Sequence, residues 1–143
     1  MRIILDTNIF ISYLLSKREE GTIRRVVEAC LLSPEVRLIF PNELKHEILD
    51  VWERKKPLQK AIPRQRLESV LEKIEQIAEV PVSIEEITHH SRDPKDDYLI
   101  AYGLLEQADY LVSGDEDLTV LKQIRNLQII SPFEFLEILE LKS

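Results

Sequence analysis

The residues of this chain best suited to chemistry include carboxylates that follow two predicted β-strands. Asp6 comes directly after the apolar run Arg2–Leu5, and Asp115 comes shortly after the apolar run 110–113. In a parallel sheet, both positions lie at the carboxyl ends of strands, which is the edge where open α/β proteins bind their ligands. The two acids are therefore candidates for a shared site.

Two further acids lie on predicted helices that topology would bring to the same place. Asp97 falls in the first turn of a helix, where a carboxylate either caps the helix or leans toward a site at its N-terminus. Glu47 lies on the helix after the second strand, one turn beyond Glu43, so the two glutamates share a helix face.

Carboxylates that converge in this way need a cation. Two like charges about 4 Å apart repel by ~1 kcal/mol in water and by ~4 kcal/mol at an effective dielectric of ~20. Mg²⁺ or Mn²⁺ removes this repulsion, because hard divalent ions prefer carboxylate oxygens and water. Such an ion can orient a phosphodiester, activate a water and stabilise the departing oxyanion. The alternative is that each acid is only a turn residue or a helix cap.

The elements that would position these acids alternate along the chain. Short apolar runs predict strands at 2–5, 37–40, 110–113 and 127–130, with an irregular edge strand at 80–84. Helical spacing predicts helices at about 22–32, 42–55, 64–79, 95–107, 118–124 and 132–139, the second of them with Asn42 as its N-cap. This alternation predicts an α/β fold in a single domain over 1–143, with a mainly parallel central sheet flanked by helices on both faces.

Composition excludes several other classes of protein. A chain of 143 residues that is 44% hydrophobic can bury one core, and its net charge of −7 argues against a simple nucleic-acid coat protein. Three glycines are too few for a glycine-rich phosphate loop. The single cysteine, Cys30, lies in an apolar helical run and predicts a buried thiol without a disulfide. No apolar segment approaches the length of a membrane span, so we expect a cytoplasmic protein.

Four stretches of the sequence resemble the four motifs of the PIN-domain family, in the family's order. Residues 3–9 (IILDTNI) resemble the first motif, in which an aspartate ends strand one and Thr-Asn follows. Residues 42–49 (NELKHEIL) resemble the second, a glutamate within a helix, while 92–101 (RDPKDDYLIA) and 110–118 (YLVSGDEDL) resemble the third and fourth. The terminal strand and helix also fit, so the chain is identified as a VapC-like member of this family.

The resemblance implies a metal-dependent endoribonuclease that hydrolyses RNA to 5′-phosphate products with one or two Mg²⁺ or Mn²⁺ ions. It also implies a toxin of a toxin–antitoxin pair, with an antitoxin partner and a possible homodimer. The family's acidic positions match Asp6, Glu47, Asp97 and Asp115, of which Asp6 and Asp97 would be direct metal ligands. Glu47 is preferred to Glu43 because it lies one turn further along the helix. Supporting roles, in orienting carboxylates or contacting phosphate, fall to Thr7, Asn8, Asp96, Ser113 and Asp117.

Basic residues concentrate in one segment of this acidic chain. Between residues 52 and 66, six of them face Glu53 alone, so the segment carries +5 and the rest of the chain −12. The six are Arg54, Lys55, Lys56, Lys60, Arg64 and Arg66. They either guide an RNA backbone toward the metal or form a solvated loop between helices that aids solubility. Trp52 and Tyr13 could stack on bases, but their helical positions predict core residues.

Two alternatives belong to other functional classes. The first is a catalytically silent PIN-like module that binds RNA or protein, against which the intact acids of all four motifs argue. The second is an aspartate-based phosphotransfer domain, such as a receiver or a phosphatase. Receivers carry an acidic pair at the first strand and phosphatases an Asp-x-Asp, whereas here Asp6 is followed by Thr7 and Asn8.

Overall fold

The sheet of this protein brings the carboxyl ends of its two central strands side by side. A computed structural model describes residues 1–16, 21–84 and 97–142. Within them, the strands are β1 (Arg2–Leu5), β2 (Arg37–Leu38), β3 (Tyr110–Val112), β4 (Gln123–Ile124) and β5 (Leu127–Ile130). The sheet order is β2-β1-β3-β5-β4, with all neighbours parallel except the edge pair β4–β5. The chain leaves β1 toward β2 and later returns to β3 on the other side, so a topological switch point lies between β1 and β3.

Helices cover both faces of this sheet. Those in the described part of the chain are α1 (Thr7–Leu15), α2 (Thr22–Leu32), α3 (Asn42–Arg54), α4 (Lys56–Ala61), α5 (Arg64–Ile77), α6 (Asp97–Leu105), α7 (Glu116–Thr119) and α8 (Pro132–Lys142). Right-handed crossovers put the β1–β2 connection on one face and the β2–β3 connection on the other. Accordingly α2 packs against α1 and α8, whereas α6 packs on β1, β3 and β5. None of the described helices is long and apolar enough to cross a membrane.

The core lies where α6 and the central strands meet. Ile3, Ile4 and Leu5 of β1 are fully buried, as expected for a strand covered on both faces. Gly103 lets α6 approach β5 closely, because a Cβ at this position would lie 2.7 Å from a methyl carbon of Leu127. Such tight packing fixes the distance between the C-terminal half of α6 and the sheet.

The predicted α/β architecture is confirmed, but several local predictions near the site are wrong. Residues 7–15 form α1, which was not predicted because four of its nine residues are buried hydrophobics and no polar stripe marks a helical period. Asn42 is the first residue of α3 rather than its N-cap; Pro41 precedes the helix and no side chain caps it. Residues 37–40 form a strand only to Leu38, after which Ile39 makes an isolated bridge with Glu79.

Three further predictions changed for local reasons. Residues 80–84 do not form a strand, because the bridge to Ile39 ends at Glu79 and Val82 is 87% exposed. The predicted helix 118–124 is α7 at 116–119, followed by the edge strand β4, since Lys122 has a φ of 60° that no helix continues. The helix predicted from residue 95 is described only from Asp97, and its beginning lies outside the described residues.

Candidate active site

Asp6 lies at the switch point and is held by both neighbouring strands. β1 and β3 pair from Ile3 with Tyr110 to Leu5 with Val112, and the Asp6 amide continues the ladder to the Val112 carbonyl at 3.1 Å. Its carboxylate accepts a hydrogen bond from the Ile9 amide (3.2 Å), which makes Asp6 the N-cap of α1. Asp6 therefore serves the local fold as a cap and still presents its second oxygen to the strand end.

Ser113 connects Asp6 to Asp115. The Ser113 hydroxyl donates to Asp6 Oδ2 and accepts from the Asp115 amide at 2.9 Å. Asp115 in turn caps α7, since its Oδ1 accepts from the Asp117 amide at 2.9 Å. The Asp6 carboxylate and the Asp115 amide thus bind the same fully buried Ser113 hydroxyl, and both acids also cap helices, which was their alternative interpretation.

The environment of Asp6 disfavours its negative charge. Burial raises the pKa of the Asp6 carboxyl above 3.8, an effect that hydrogen bonds from Ser113 and Ile9 oppose and the charge of Asp115 reinforces. A positive charge placed beside these two carboxylates would reverse the effect on the pKa and stabilise both anions. The two neighbouring carboxylates would therefore be stabilised by a cation bound beside them.

Asp97 is the fully buried first residue of α6 within the described part of the chain. Since α6 packs on β3 and ends at Leu105, only a few residues before β3 begins at Tyr110, the helix runs opposite to that strand. Its N-terminus therefore lies toward the end of the sheet where Asp6 and Ser113 lie.

Glu47 reaches α6 at the same level as Asp97. The phenol of Tyr98 donates to Glu47 Oε2, and the phenol of Tyr102 donates to Glu43 Oε2. Going four residues forward on α6, from Tyr98 to Tyr102, means going four residues back on α3, from Glu47 to Glu43. The two helices therefore run in opposite directions along their contact. This contact places Glu47 beside the residue that follows Asp97 and Glu43 one turn farther away.

Comparison with known proteins identifies the fold. A family model described as a PIN domain matches residues 2–117. This chain belongs to the PIN-domain family. Its fold is also similar to that of VapBC2 from Rickettsia felis, solved bound to a DNA fragment from their promoter, with a TM-score of 0.58, 15% identity, and coverage of 92% of this chain and 98% of that chain. At such low identity, the likeness concerns the fold alone. No curated protein matches the sequence.

The match confirms the family predicted from the four motifs and leaves the receiver and phosphatase alternatives without support. The matched range of the PIN domain contains Asp6, Glu47, Asp97 and Asp115. All four acids therefore lie in the part of the chain that defines the family.

The residues predicted to support the acids of the PIN domain differ in how deeply they are buried. Thr7 is buried, and its hydroxyl has no hydrogen-bond partner among the residues that the structure describes. Asn8 and Asp117 are exposed, and Asp96 lies outside the described residues. Sequence reasoning missed Tyr98 as a site residue, although the equal spacing of Glu43–Glu47 and Tyr98–Tyr102 was a signal that two helix faces match.

The donor set can be tested against a divalent ion. Among residues 1–16, 21–84 and 97–142, no group of three or more His, Cys, Asp and Glu side chains is placed to hold a metal together. Mg²⁺, however, commonly keeps several waters and binds through one or two carboxylates plus substrate phosphates. The Asp6 carboxylate, the nearby Asp115 carboxylate and the Thr7 hydroxyl, which has no hydrogen-bond partner among the described residues, are donors that suit such an ion. The residues present are compatible with Mg²⁺ or Mn²⁺ on this chemical ground.

The basic segment of the PIN domain is helical rather than a loop. It comprises the end of α3, all of α4 and the start of α5, and its six basic residues are exposed. The indole of Trp52 donates to the Ile62 carbonyl at 2.9 Å, and Gln59 donates to the Trp52 carbonyl at 3.2 Å, so α4 is fixed against α3. Trp52 is thus a core residue as predicted, and Tyr13 is half-buried beneath the guanidinium of Arg24.

Proposed function

We propose that this PIN-domain protein is a metal-dependent endoribonuclease and the toxin of a toxin–antitoxin pair. The observation that carries the proposal is the Asp6–Ser113–Asp115 arrangement at the ends of β1 and β3, with Asp97 and Glu47 on helices that reach the same end of the sheet. Nuclease chemistry needs anionic groups that tolerate close contact with a phosphodiester only when a cation is present. This arrangement supplies those groups on rigid elements.

The roles of the residues follow from their surroundings. Asp6 and Asp97 would hold the ion, and Glu47 and Asp115 would complete the site partly through water. Mg²⁺ or Mn²⁺, when bound, supplies the charge that activates a water for attack on phosphorus and stabilises the departing oxyanion, leaving a 5′-phosphate. Ser113 fixes the Asp6 carboxylate by its hydroxyl, and the Ile9 amide prevents that carboxylate from rotating away.

The test is cleavage of a labelled RNA by the purified protein. We expect 5′-phosphate products in Mn²⁺, none in EDTA, and restored cleavage when Mn²⁺ is returned. Cleavage that persists in EDTA would contradict the metal mechanism. Mn²⁺ binding without any cleavage of structured or single-stranded RNA would favour the catalytically silent module instead.

We propose that RNA reaches the site along the basic segment. Arg54 lies seven residues beyond Glu47 on α3, which is about 10 Å along the axis and nearly the same face of the helix. The first exposed cation of the basic segment, Arg54, therefore lies about 10 Å from Glu47 along the α3 axis, and α4 follows it directly. Among the described ion pairs of the segment, only Arg64 pairs with a carboxylate, that of Glu68 at 3.0 Å.

A salt titration tests this path. Replacing Lys56 and Lys60 with Gln removes two charges, so the slope of log affinity against log salt should fall by about 1.4. The matched control replaces two exposed lysines elsewhere, with Lys73→Gln and Lys122→Asn, and should leave the slope unchanged. Asn suits position 122 because the backbone there is left-handed. An equal effect of the two double variants would refute a specific path.

We propose that an antitoxin protein and a second copy of this chain are its partners. The support is the family and the likeness in fold to VapBC2, a protein solved in a complex on promoter DNA. Production of this chain alone should arrest growth of a bacterial host, and Asp6→Asn should not. Equal arrest by both would contradict a toxic nuclease, and sedimentation of the purified chain measures self-association.

A further inference from the structure

Tyr98 joins the two helices that carry the candidate acids Glu47 and Asp97. It follows Asp97 directly on α6, and its phenol donates a hydrogen bond to Glu47 Oε2 across the helix contact. Only 9% of Tyr98 is exposed, so the packing of α6 fixes its ring. Among the described residues, Glu47 has no other hydrogen-bond partner, which leaves Oε1 available to a ligand.

The pair one turn away provides an internal comparison. Tyr102 donates to Glu43 by the same chemistry, but its hydroxyl also accepts from the Ile84 amide at 3.0 Å. Tyr102 therefore joins α3 and α6 to the backbone at Ile84, one helical turn from the Tyr98–Glu47 contact. The Tyr98–Glu47 pair therefore lies beside Asp97, whereas the Tyr102–Glu43 pair is also bonded to the backbone amide of Ile84.

A glutamate needs such a partner more than an aspartate does. Its carboxylate lies at the end of three rotatable bonds, whereas Asp6 and Asp115 are held by the amides of the helices they cap. Glu47 has no capping role because it lies within α3. Among the residues that the structure describes, the group that fixes the Glu47 carboxylate is the Tyr98 hydroxyl.

We infer that Tyr98 is a positioning residue of the nuclease site, which holds the Glu47 carboxylate toward the ion and substrate. The inference rests on the proposed function. Hydrogen bonds to ligating carboxylates from outer residues are worth about 10–100-fold in metal affinity or activity. We therefore expect loss of the phenol to act on cleavage through the position of the Glu47 carboxylate.

Two double-mutant cycles test this inference in the full chain. In the first, Tyr98→Phe should lower kcat/KM for RNA cleavage about 10-fold in the wild-type background and by less than about two-fold in Glu47→Gln. In the second, Tyr102→Phe and Glu43→Gln should each stay within about two-fold of wild type. Calorimetric titration with Mn²⁺ alone should show about 10-fold weaker binding for Tyr98→Phe and unchanged binding for Tyr102→Phe.

Glu47→Asp keeps the charge but shortens the side chain, so it tests the position of the carboxylate even if Tyr98→Phe does not fold. We expect it to weaken Mn²⁺ binding as Tyr98→Phe does. Wild-type kcat/KM and Mn²⁺ affinity in Glu47→Asp or Tyr98→Phe would overturn the role of Tyr98 and leave the nuclease proposal standing. A wild-type protein that neither binds Mn²⁺ nor cleaves RNA would overturn both.

Discussion

Replacing Asp6 separates the chemistry of the site from its contribution to folding. Asp6 caps α1 through one oxygen and accepts from Ser113 through the other. Asn at this position keeps a carbonyl for the Ile9 amide and can donate to the Ser113 hydroxyl, while Ala keeps neither interaction. The variants Asp6→Asn and Asp6→Ala therefore remove the same charge but different hydrogen bonds.

The expected stabilities follow from these contacts. Losing the cap costs about 0.5–2 kcal/mol, and leaving the buried Ser113 hydroxyl without its acceptor costs a further 1–3 kcal/mol, roughly. Asp6→Ala should thus be less stable than wild type by about 1.5–5 kcal/mol. Asp6→Asn should be less destabilised than Asp6→Ala, because Asn is as good a cap as Asp, its amide N–H still bonds the Ser113 oxygen, and burial already disfavours the charge of Asp6, whose pKa is raised.

Activity should fall by more than about 100-fold in both variants, because neither retains the carboxylate. Urea denaturation at neutral pH measures the free energy of unfolding, and RNA cleavage in Mn²⁺ measures activity. A folded Asp6→Asn protein with wild-type cleavage would refute the assignment of Asp6 to the site. A loss of stability in Asp6→Asn as large as that in Asp6→Ala would refute the capping argument.

Three further outcomes test other parts of the structure. Ser113→Ala should lower cleavage about 10–100-fold, because Asp6 loses the donor that orients it; unchanged cleavage would contradict this role. Trp52→Phe should cost about 1–3 kcal/mol in urea denaturation, since the Ile62 carbonyl loses its donor; an unchanged midpoint would mean that α4 is held otherwise. Burial raises the pKa of Cys30 to about 12 from 9.0, so the unfolded thiol ionises first and the free energy of unfolding should fall by about 1.4 kcal/mol per pH unit across that window. Cys30→Ala is the control and should lack this part of the slope.

Much of the fold was predictable because its signals are local. Buried parallel strands are rich in apolar residues, and the predicted limits of β1 (2–5) and β5 (127–130) match those of the structure. The predicted bounds of helices and strands were wrong where an element is stabilised by contacts with residues outside it. The basic segment reads as a loop, yet α4 forms there because Trp52 and Gln59 fix it against α3.

The candidate site likewise has a part that was predictable from the sequence and a part that was not. The sequence by itself determined that Asp6 and Asp115 follow strands of a mainly parallel sheet, because strand ends follow from apolar runs. That the two strands are neighbours was decided by the tertiary structure. Only the tertiary structure decided which glutamate accompanies Asp97, since the contact between Tyr98 and Glu47 joins residues 51 positions apart. It also decided that Ser113 links the two strand-end acids and that burial raises the pKa of Asp6. Helix contact and desolvation depend on what packs around a residue, and no local pattern of residues contains that information.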